Sequence, residues 1–397
     1  MIKNTSDAWS FQTSRKVICA FYASTTYGSE YRAGLEFIKF AASNGFDLAI
    51  VADLEENSTA IELEAEAVGI KVVRVPSVIK RQQTLYRYTD LVAQWIWHFR
   101  AAQWMRTNLG SLSCLWVQNG ASPWLPLKPY FGLADTLVWG PVGGGEPPSP
   151  AMMKTLSWSQ RLREYSRSTL EKAFLDLKLA AMNPLKAPRI VAIARTKEAH
   201  SQLSSMLGRD VPIIPEILDP LIGVTHHRKP SKNPRLLWVG QNIPRKNLAL
   251  AFQIFQYLRE GTFPDATLDI FGCTAPNGEA INGVTFHGWV SSVPWQEFRN
   301  DGILLLTSFR EGLPSAVLEA VRNGLLCITA DVGAIGSLDI PTIHLLPKDQ
   351  YPNFSKATLN NAQSRIEEHL AQAEIKLPLV SNRKKLTKYL KAEGAIK

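Results

Sequence analysis

Nothing in this 397-residue sequence spaces cysteine or histidine as a structural zinc site requires. The four cysteines, Cys19, Cys114, Cys273 and Cys327, are far apart with no CxxC pair, so a reducing compartment is the simplest reading. Residues 1–15 are polar where a signal peptide needs an apolar run, and no export signal is expected. The longest charge-free stretch, Thr107 to Leu127, is interrupted by Gly110, Asn119, Gly120, Pro123 and Pro126, which excludes a membrane-spanning helix there. No GxGxxG follows a strand and no GxxxxGK[ST] occurs, so the common dinucleotide and P-loop fingerprints are missing too.

What is present suits a soluble α/β protein. Apolar residues make up 45% of the chain and charged residues 20%, enough apolar material for packed cores. The length favours two domains. The net charge of +9 points to an acidic partner: ligand phosphates, an anionic membrane or nucleic acid. Nucleic acid ranks last, because no helix-turn-helix, zinc-finger or RNP-type pattern accompanies the charge. Much of the excess sits in Lys154 to Lys197 and in Arg383 to Lys397, which reads equally as a solvated face or a membrane-binding one.

Strand candidates alternate with helical stretches, which implies right-handed βαβ units and parallel sheets. In the first half the strands are Lys16 to Tyr22, Phe46 to Ala52, Ile70 to Val75, Cys114 to Gln118, Thr136 to Trp139 and Ile190 to Ala194. Helices are expected over Tyr31 to Ser43 and Leu85 to Met105. The second of these mixes Trp95, Trp97, Phe99 and Trp104 with Arg87 and Arg100, a pattern shared by core helices and membrane-facing ones. Pro212 to Pro220, followed by His226 to Pro234, has the proline and charge content of a linker. A second series follows, with strands Arg235 to Val239, Ala266 to Phe271, Val284 to Phe286, Gly302 to Thr307 and Leu326 to Ala330, and helices Leu248 to Arg259 and Ser315 to Asn323.

The densest chemistry lies in Arg310 to Val321, REGLPSAVLEAV. Pro314 suits the first helical position, and the amides around it, with the helix dipole, make an anion site fit for a pyrophosphate. Gly312 lets backbone approach closely. Glu311 and Glu319 should stand on the order of 10 Å apart. That is wide for a glycosidase pair, which spans roughly 5 to 9.5 Å. It fits two hydroxyl-binding carboxylates flanking a pyrophosphate better. Taken singly, Glu311 is a favourable charge near a helix start and Glu319 a solvated helical residue.

Together with its context, EGLPSAVLEAVRNGLLCITADVG resembles the donor-site motif of glycosyltransferase family 4. The resemblance is strong from Arg235 to Gly333 and looser before that. It implies that Glu311 binds hydroxyls of the transferred sugar, that Glu319 binds the ribose, and that the amides of Gly312, Leu313, Ser315 and Ala316 hold phosphate. Trp238 to Leu248, WVGQNIPRKNL, is similar to the family's strand, glycine turn and basic pair, which places Gly240 and Lys246 at the pyrophosphate. The usual arginine is replaced by Gln241, and Arg245 either compensates or faces solvent. Base recognition would use backbone near Phe271, Gly272, Gly288 and Val290. In the first half, Gly28, Ser29 and Glu30 resemble the family's first glycine loop, and Gly143 and Gly144 fall in a second one, WGPVGGGE. Many members carry a histidine on a first-domain loop; here the only histidine before His200 is His98, inside the aromatic helix, so Asn119 is a substitute to consider.

The fold expected from this resemblance is α/β of the GT-B type, two Rossmann-like doubly wound domains with an interdomain cleft. The expected division is an acceptor-binding domain over 1–215, a linker over 216–234, a nucleotide-sugar-binding domain over 235–375 and a tail over 376–397 that crosses back to the first domain. The implied reaction is metal-independent, retaining transfer of a sugar from a nucleotide-sugar to a saccharide or lipid-linked saccharide. No Asp-x-Asp pair is present to hold a divalent ion, and no cofactor is expected. A role in bacterial exopolysaccharide, capsule or lipopolysaccharide synthesis follows by analogy, with the protein cytoplasmic and peripheral at the inner membrane face. Two rivals stay open: a GT-B nucleotide-sugar epimerase, and a non-catalytic nucleotide-sugar-binding scaffold.

Overall fold

Runs such as GILLL and LCITA are buried at every position, as strands covered on both faces must be. The computed structural model describes residues 15–23, 29–54, 58–77, 86–118, 127–143, 150–162, 164–166, 169, 189–215, 225–275, 280–338, 340–377 and 382–397. In chain order the first elements are β1 (Lys16–Ala20), α1 (Ser29–Ser43), β2 (Leu48–Asp53), α2 (Ser58–Glu66), β3 (Lys71–Pro76) and α3 (Tyr86–Asn108). Next come β4 (Leu112–Gln118), β5 (Ala134–Val142), α4 (Pro150–Thr155), β6 (Arg189–Ala194) and α5 (Lys197–Leu207). Then follow β7 (Thr225–His227), β8 (Arg235–Val239), α6 (Leu248–Glu260), β9 (Thr267–Phe271), β10 (Val284–Gly288), β11 (Gly302–Leu306) and α7 (Ser315–Arg322). The chain ends with β12 (Leu326–Ala330), β13 (Ile343–Leu346), α8 (Lys356–Ala371), β14 (Glu374–Lys376) and α9 (Asn382–Ala392).

Two units result, the first from 1–145, 168–219 and 381–397 and the second from 146–167 and 220–380. The first holds a parallel sheet of order β3-β2-β1-β4-β5-β6 and the second one of order β10-β9-β8-β11-β12-β13. Each is a doubly wound Rossmann-like sheet whose strand order reverses beside its first strand, the place where ligands meet the carboxyl ends of such sheets.

The unit boundaries differ from the sequence-based division. Residues 146–167 group with the second unit, where Met153 and Leu156 are buried and Glu164 forms an ion pair with Arg310. The expected linker contains β7, which pairs antiparallel with β14, so backbone hydrogen bonding holds it to the second unit. Residues 381–397 belong to the first unit. There Leu386 and Leu390 of α9 are fully buried, and Arg383 pairs with Glu36 at 3.2 Å.

The aromatic helix α3 is amphipathic in an uneven way. Trp97, Ala101, Ala102 and Met105 lie in the first unit's core, and the Trp97 indole donates to the Val75 carbonyl at 3.0 Å. His98 is fully buried and hydrogen-bonds the Tyr130 hydroxyl. Val92, Ile96 and Phe99 remain exposed on the opposite face. Among the described residues no helix is long and apolar enough to cross a membrane.

In the second unit, α8 is pinned to the sheet by a histidine. His369 is buried and its Nε2 accepts the Leu326 N–H at 3.2 Å, which requires a neutral ring. Burial, then the charges of Arg228 and Arg365, lower its pKa to about 3. An unfolded histidine titrates near 6.5, so its contribution is complete above about pH 6.5 and is lost as pH falls toward 3. Unfolding temperature should therefore drop between about pH 6.5 and pH 4.5, and His369→Gln should flatten that slope. An equally steep slope in the variant would remove His369 as its cause.

Candidate functional site

The reversal point of the second sheet lies between β8 and β11, and the segments leaving these two strands build the site. After β8, the Gly240 N–H donates to the Phe271 carbonyl at 2.9 Å, and the Gly272 N–H donates to the Gly288 carbonyl at 2.7 Å. The ends of β8, β9 and β10 thus touch backbone to backbone. Gly272 makes this contact possible: at φ +94° it holds a left-handed conformation, and a Cβ there would sit 2.6 Å from the Gly240 oxygen. Gly288 and Val290 are partly buried at the end of β10, while Gln241 is exposed.

The turn Pro244–Lys246 leads into α6 through Asn247, whose side chain accepts the Leu250 N–H at 3.3 Å. A small polar web fixes this turn against the end of β11. Trp238 Nε1 donates to Thr307 Oγ1 at 3.0 Å, and that hydroxyl faces the carbonyls of Lys246 and Asn247 at 3.0 and 2.9 Å. Asn247 Nδ2 donates to the Tyr351 hydroxyl at 2.5 Å, which in turn donates to the Thr307 carbonyl at 2.8 Å. Burial pushes the Tyr351 phenol up to about 12, so it stays a donor at neutral pH. Nothing local marks these four partners, because their meaning appears only when segments 44 to 104 positions apart meet.

The web aims Lys246 at Glu311. Lys246 Nζ lies 2.7 Å from Glu311 Oε1, and Arg245 Nη1 lies 3.2 Å from the same oxygen. The carboxylate side chain is 8% exposed, Lys246 16% and Arg245 45%, so the lysine pair is the more desolvated and the stronger of the two. Arg245 also reaches the Arg310 carbonyl at 3.3 Å, and the Phe309 N–H donates to the Arg245 carbonyl at 3.0 Å. The Arg245 guanidinium thus faces Glu311 while staying 45% exposed, and neither reading of its role is decided by that position.

Behind Glu311 and Gly312 the chain passes Gly333. There φ is +61°, and a Cβ would fall 2.2 Å from the carbonyl oxygens of both Glu311 and Gly312. The Ala334 N–H donates to the Gly312 carbonyl at 2.9 Å, so the loop before α7 is backed by backbone. Pro314 does not occupy the first helical position as expected: its ψ of 126° is extended, and α7 begins one residue later at Ser315. The first-turn amides of α7, which include Ser315 and Ala316, still have no carbonyl within the helix to bond, and Leu313 is buried beside them. On the same helix Glu319 is partly buried, and its Oε2 accepts the Trp295 indole N–H at 2.9 Å. A solvated helical glutamate would lack such an anchor.

The first unit contributes less to this description. Ser29 and Glu30 open α1, and Gly143 is buried just after β5. Gly28, Asn119 and Gly144 lie outside the described residues. Among the described residues no group of three or more His, Cys, Asp or Glu side chains has the arrangement of a metal site.

Residues 225–340 match the family model "Glycosyl transferases group 1". That segment contains the Gly240 turn, Lys246, Glu311 and Glu319, and the match supports a glycosyltransferase. No curated protein matches the chain. Among solved structures, the chain is similar to WaaG, a glycosyltransferase involved in lipopolysaccharide biosynthesis, at 15% identity and TM-score 0.51, covering 90% of this chain and 91% of that one. It is also similar to the N-terminal domain of Candida albicans trehalose-6-phosphate phosphatase, at 11% identity and TM-score 0.52, covering 96% and 97%. A trehalose-6-phosphate synthase structure matches at 9% identity and TM-score 0.51, covering 97% and 100%. At such identities the likeness is one of fold: two Rossmann-like α/β units of the GT-B type.

Proposed function

We propose that the chain is a retaining glycosyltransferase that moves a sugar from a nucleotide-sugar to a saccharide or lipid-linked saccharide acceptor. The observation that carries this reading is the buried Glu311 carboxylate held by Lys246 and Arg245 at the start of α7. It combines an acceptor for sugar hydroxyls, two cations and a helix start in one place. In the donor complex the pyrophosphate would lie on the first-turn amides of α7, with Lys246 beside it. Lys246 and Arg245 would then share their charge between Glu311 and the phosphates, and that electrostatic gain grows as the sugar–phosphate bond breaks. Glu311 would orient the sugar ring through its hydroxyls. Glu319, held in place by the Trp295 indole, would bind the ribose.

Retention follows if the acceptor hydroxyl attacks from the face that the nucleotide leaves. The departing phosphate then takes the hydroxyl proton, and no protein nucleophile is needed. The cations at Lys246 and Arg245 take the role that a divalent ion plays elsewhere, so the reaction is read as metal-independent. Cell-envelope polysaccharide synthesis is the proposed setting, supported by the fold shared with WaaG and by the net charge of +9. Contact with the inner face of the cytoplasmic membrane belongs to the same proposal.

Incubation with radiolabelled UDP-, GDP- and ADP-sugars in EDTA tests the reading. Slow release of free sugar from one donor is the expected result. Activity that vanishes in EDTA and returns with manganese would contradict metal independence, and appearance of an epimeric sugar nucleotide would replace transfer by epimerisation.

A further inference from the structure

Three of the most exposed large apolar side chains in the described residues lie close together in sequence: Trp158 at 76%, Leu162 at 55% and Tyr165 at 62%. Residues 158–162 and 164–166 are helical, and Trp158, Leu162 and Tyr165 have the i, i+4, i+7 spacing of one helical face. On a soluble monomer such a cluster marks an interaction surface. Glu164, in the second of these helical stretches, is anchored within the second unit: its Oε2 lies 2.8 Å from Arg310 Nη1, and both side chains are largely buried. Arg310 is the residue immediately before Glu311.

Charge identifies the occupant. Residues 150–167 contain Lys154, Arg161, Arg163 and Arg167 but only one carboxylate, Glu164, and that one is neutralised by Arg310. Trp, Leu and Tyr at helical-face spacing, interspersed in the sequence with cations, are the composition that settles into the headgroup boundary of an anionic bilayer, where aromatic rings bury their bodies and keep their polar edges wet. We infer that this face of the second unit, Trp158, Leu162 and Tyr165 with the cations around them, docks on an anionic lipid surface. The Glu164–Arg310 pair then fixes the donor loop relative to that surface. The inference deepens the membrane contact proposed above and rests on it, but docking itself requires no turnover.

Co-sedimentation of the full chain with vesicles provides the test. Binding to equimolar phosphatidylcholine and phosphatidylglycerol is expected, with little on phosphatidylcholine alone and weakening as salt rises. The triple variant Trp158→Ala, Leu162→Ser, Tyr165→Ala should bind at least about tenfold more weakly while keeping its circular dichroism and its donor hydrolysis in solution. The matched variant of α3, Val92→Ser, Ile96→Ser, Phe99→Ser, should bind as the parent does. Undiminished vesicle binding by the first variant, loss confined to the second, or binding to neither vesicle overturns the inference. So does a dimer of the parent chain that the first variant dissolves, since the stripe would then serve a second copy. Failed docking with intact donor hydrolysis leaves the transferase reading standing; absent hydrolysis with intact docking removes that reading alone.

Discussion

Replacing Glu311 by alanine should lower the rate of donor turnover by about 10²- to 10³-fold, the effect of removing one preorganised polar group from a charge-developing site. The loss should appear in kcat as well as in kcat/KM, because the carboxylate is read as orienting the sugar while its bond to phosphate breaks. The substitution also leaves Lys246, only 16% exposed, without its partner at 2.7 Å. Unfolding stability should fall by roughly 1 to 3 kcal/mol for that uncompensated group. Glu311→Gln separates the two effects: its amide oxygen can still accept from both cations but carries no charge, so part of the lost stability should return while turnover stays low. Steady-state kinetics and denaturant melts on both variants make the check. An alanine variant that binds and turns over normally removes Glu311 from the site.

Lys246→Met should cost about 10²-fold in kcat, since it removes the most desolvated cation facing the leaving phosphate. Arg245→Met should cost less, roughly several-fold, because its guanidinium is 45% exposed and screened by water. Their ranking decides what replaces the arginine missing at Gln241. If the double variant loses far more than the product of the two single losses, Arg245 substitutes in part for Lys246 and also for the absent residue. If Arg245→Met is the more damaging of the two, the assignment of Lys246 as the principal leaving-group cation is wrong.

Much of the second unit could be read from its residues, and the reasons are physical. Strands such as Gly302–Leu306 and Leu326–Ala330 are continuous apolar runs bounded by glycine or polar turns, which leaves little room for another reading. The edge strand Ile343–Leu346 was missed because its four residues include a histidine and are only partly buried. The short pairing of Thr225–His227 with Glu374–Lys376 was hidden among charged and proline-rich neighbours, and nothing local announces a strand whose partner lies some 150 residues away. Helix α8, KATLNNAQSRIEEHLA, is polar except for one narrow buried stripe, Ala362, Ile366, His369 and Leu370, too sparse to stand out in the sequence.

The candidate site divides in the same way. Glu311, Glu319, Lys246 and the glycines stand in local patterns, so resemblance could find them. Their supports could not be found so. Trp295 reaches Glu319 across 24 positions, Tyr351 reaches Thr307 across 44, and Gly333 is required by a backbone crossing at Glu311 and Gly312. Tryptophan, tyrosine and glycine are ordinary core and turn residues until the fold shows what they touch. Arg245 is the instructive case, since its sequence position was ambiguous and its geometry places it 3.2 Å from Glu311.

The most direct test of the account is a structure determined with the best donor of the nucleotide-sugar panel bound. Sugar hydroxyls are expected on Glu311, ribose hydroxyls on Glu319, and the pyrophosphate between Lys246 and the amides that open α7. A nucleotide seated away from the ends of β8 and β11, or one whose phosphates avoid both Lys246 and α7, would contradict it.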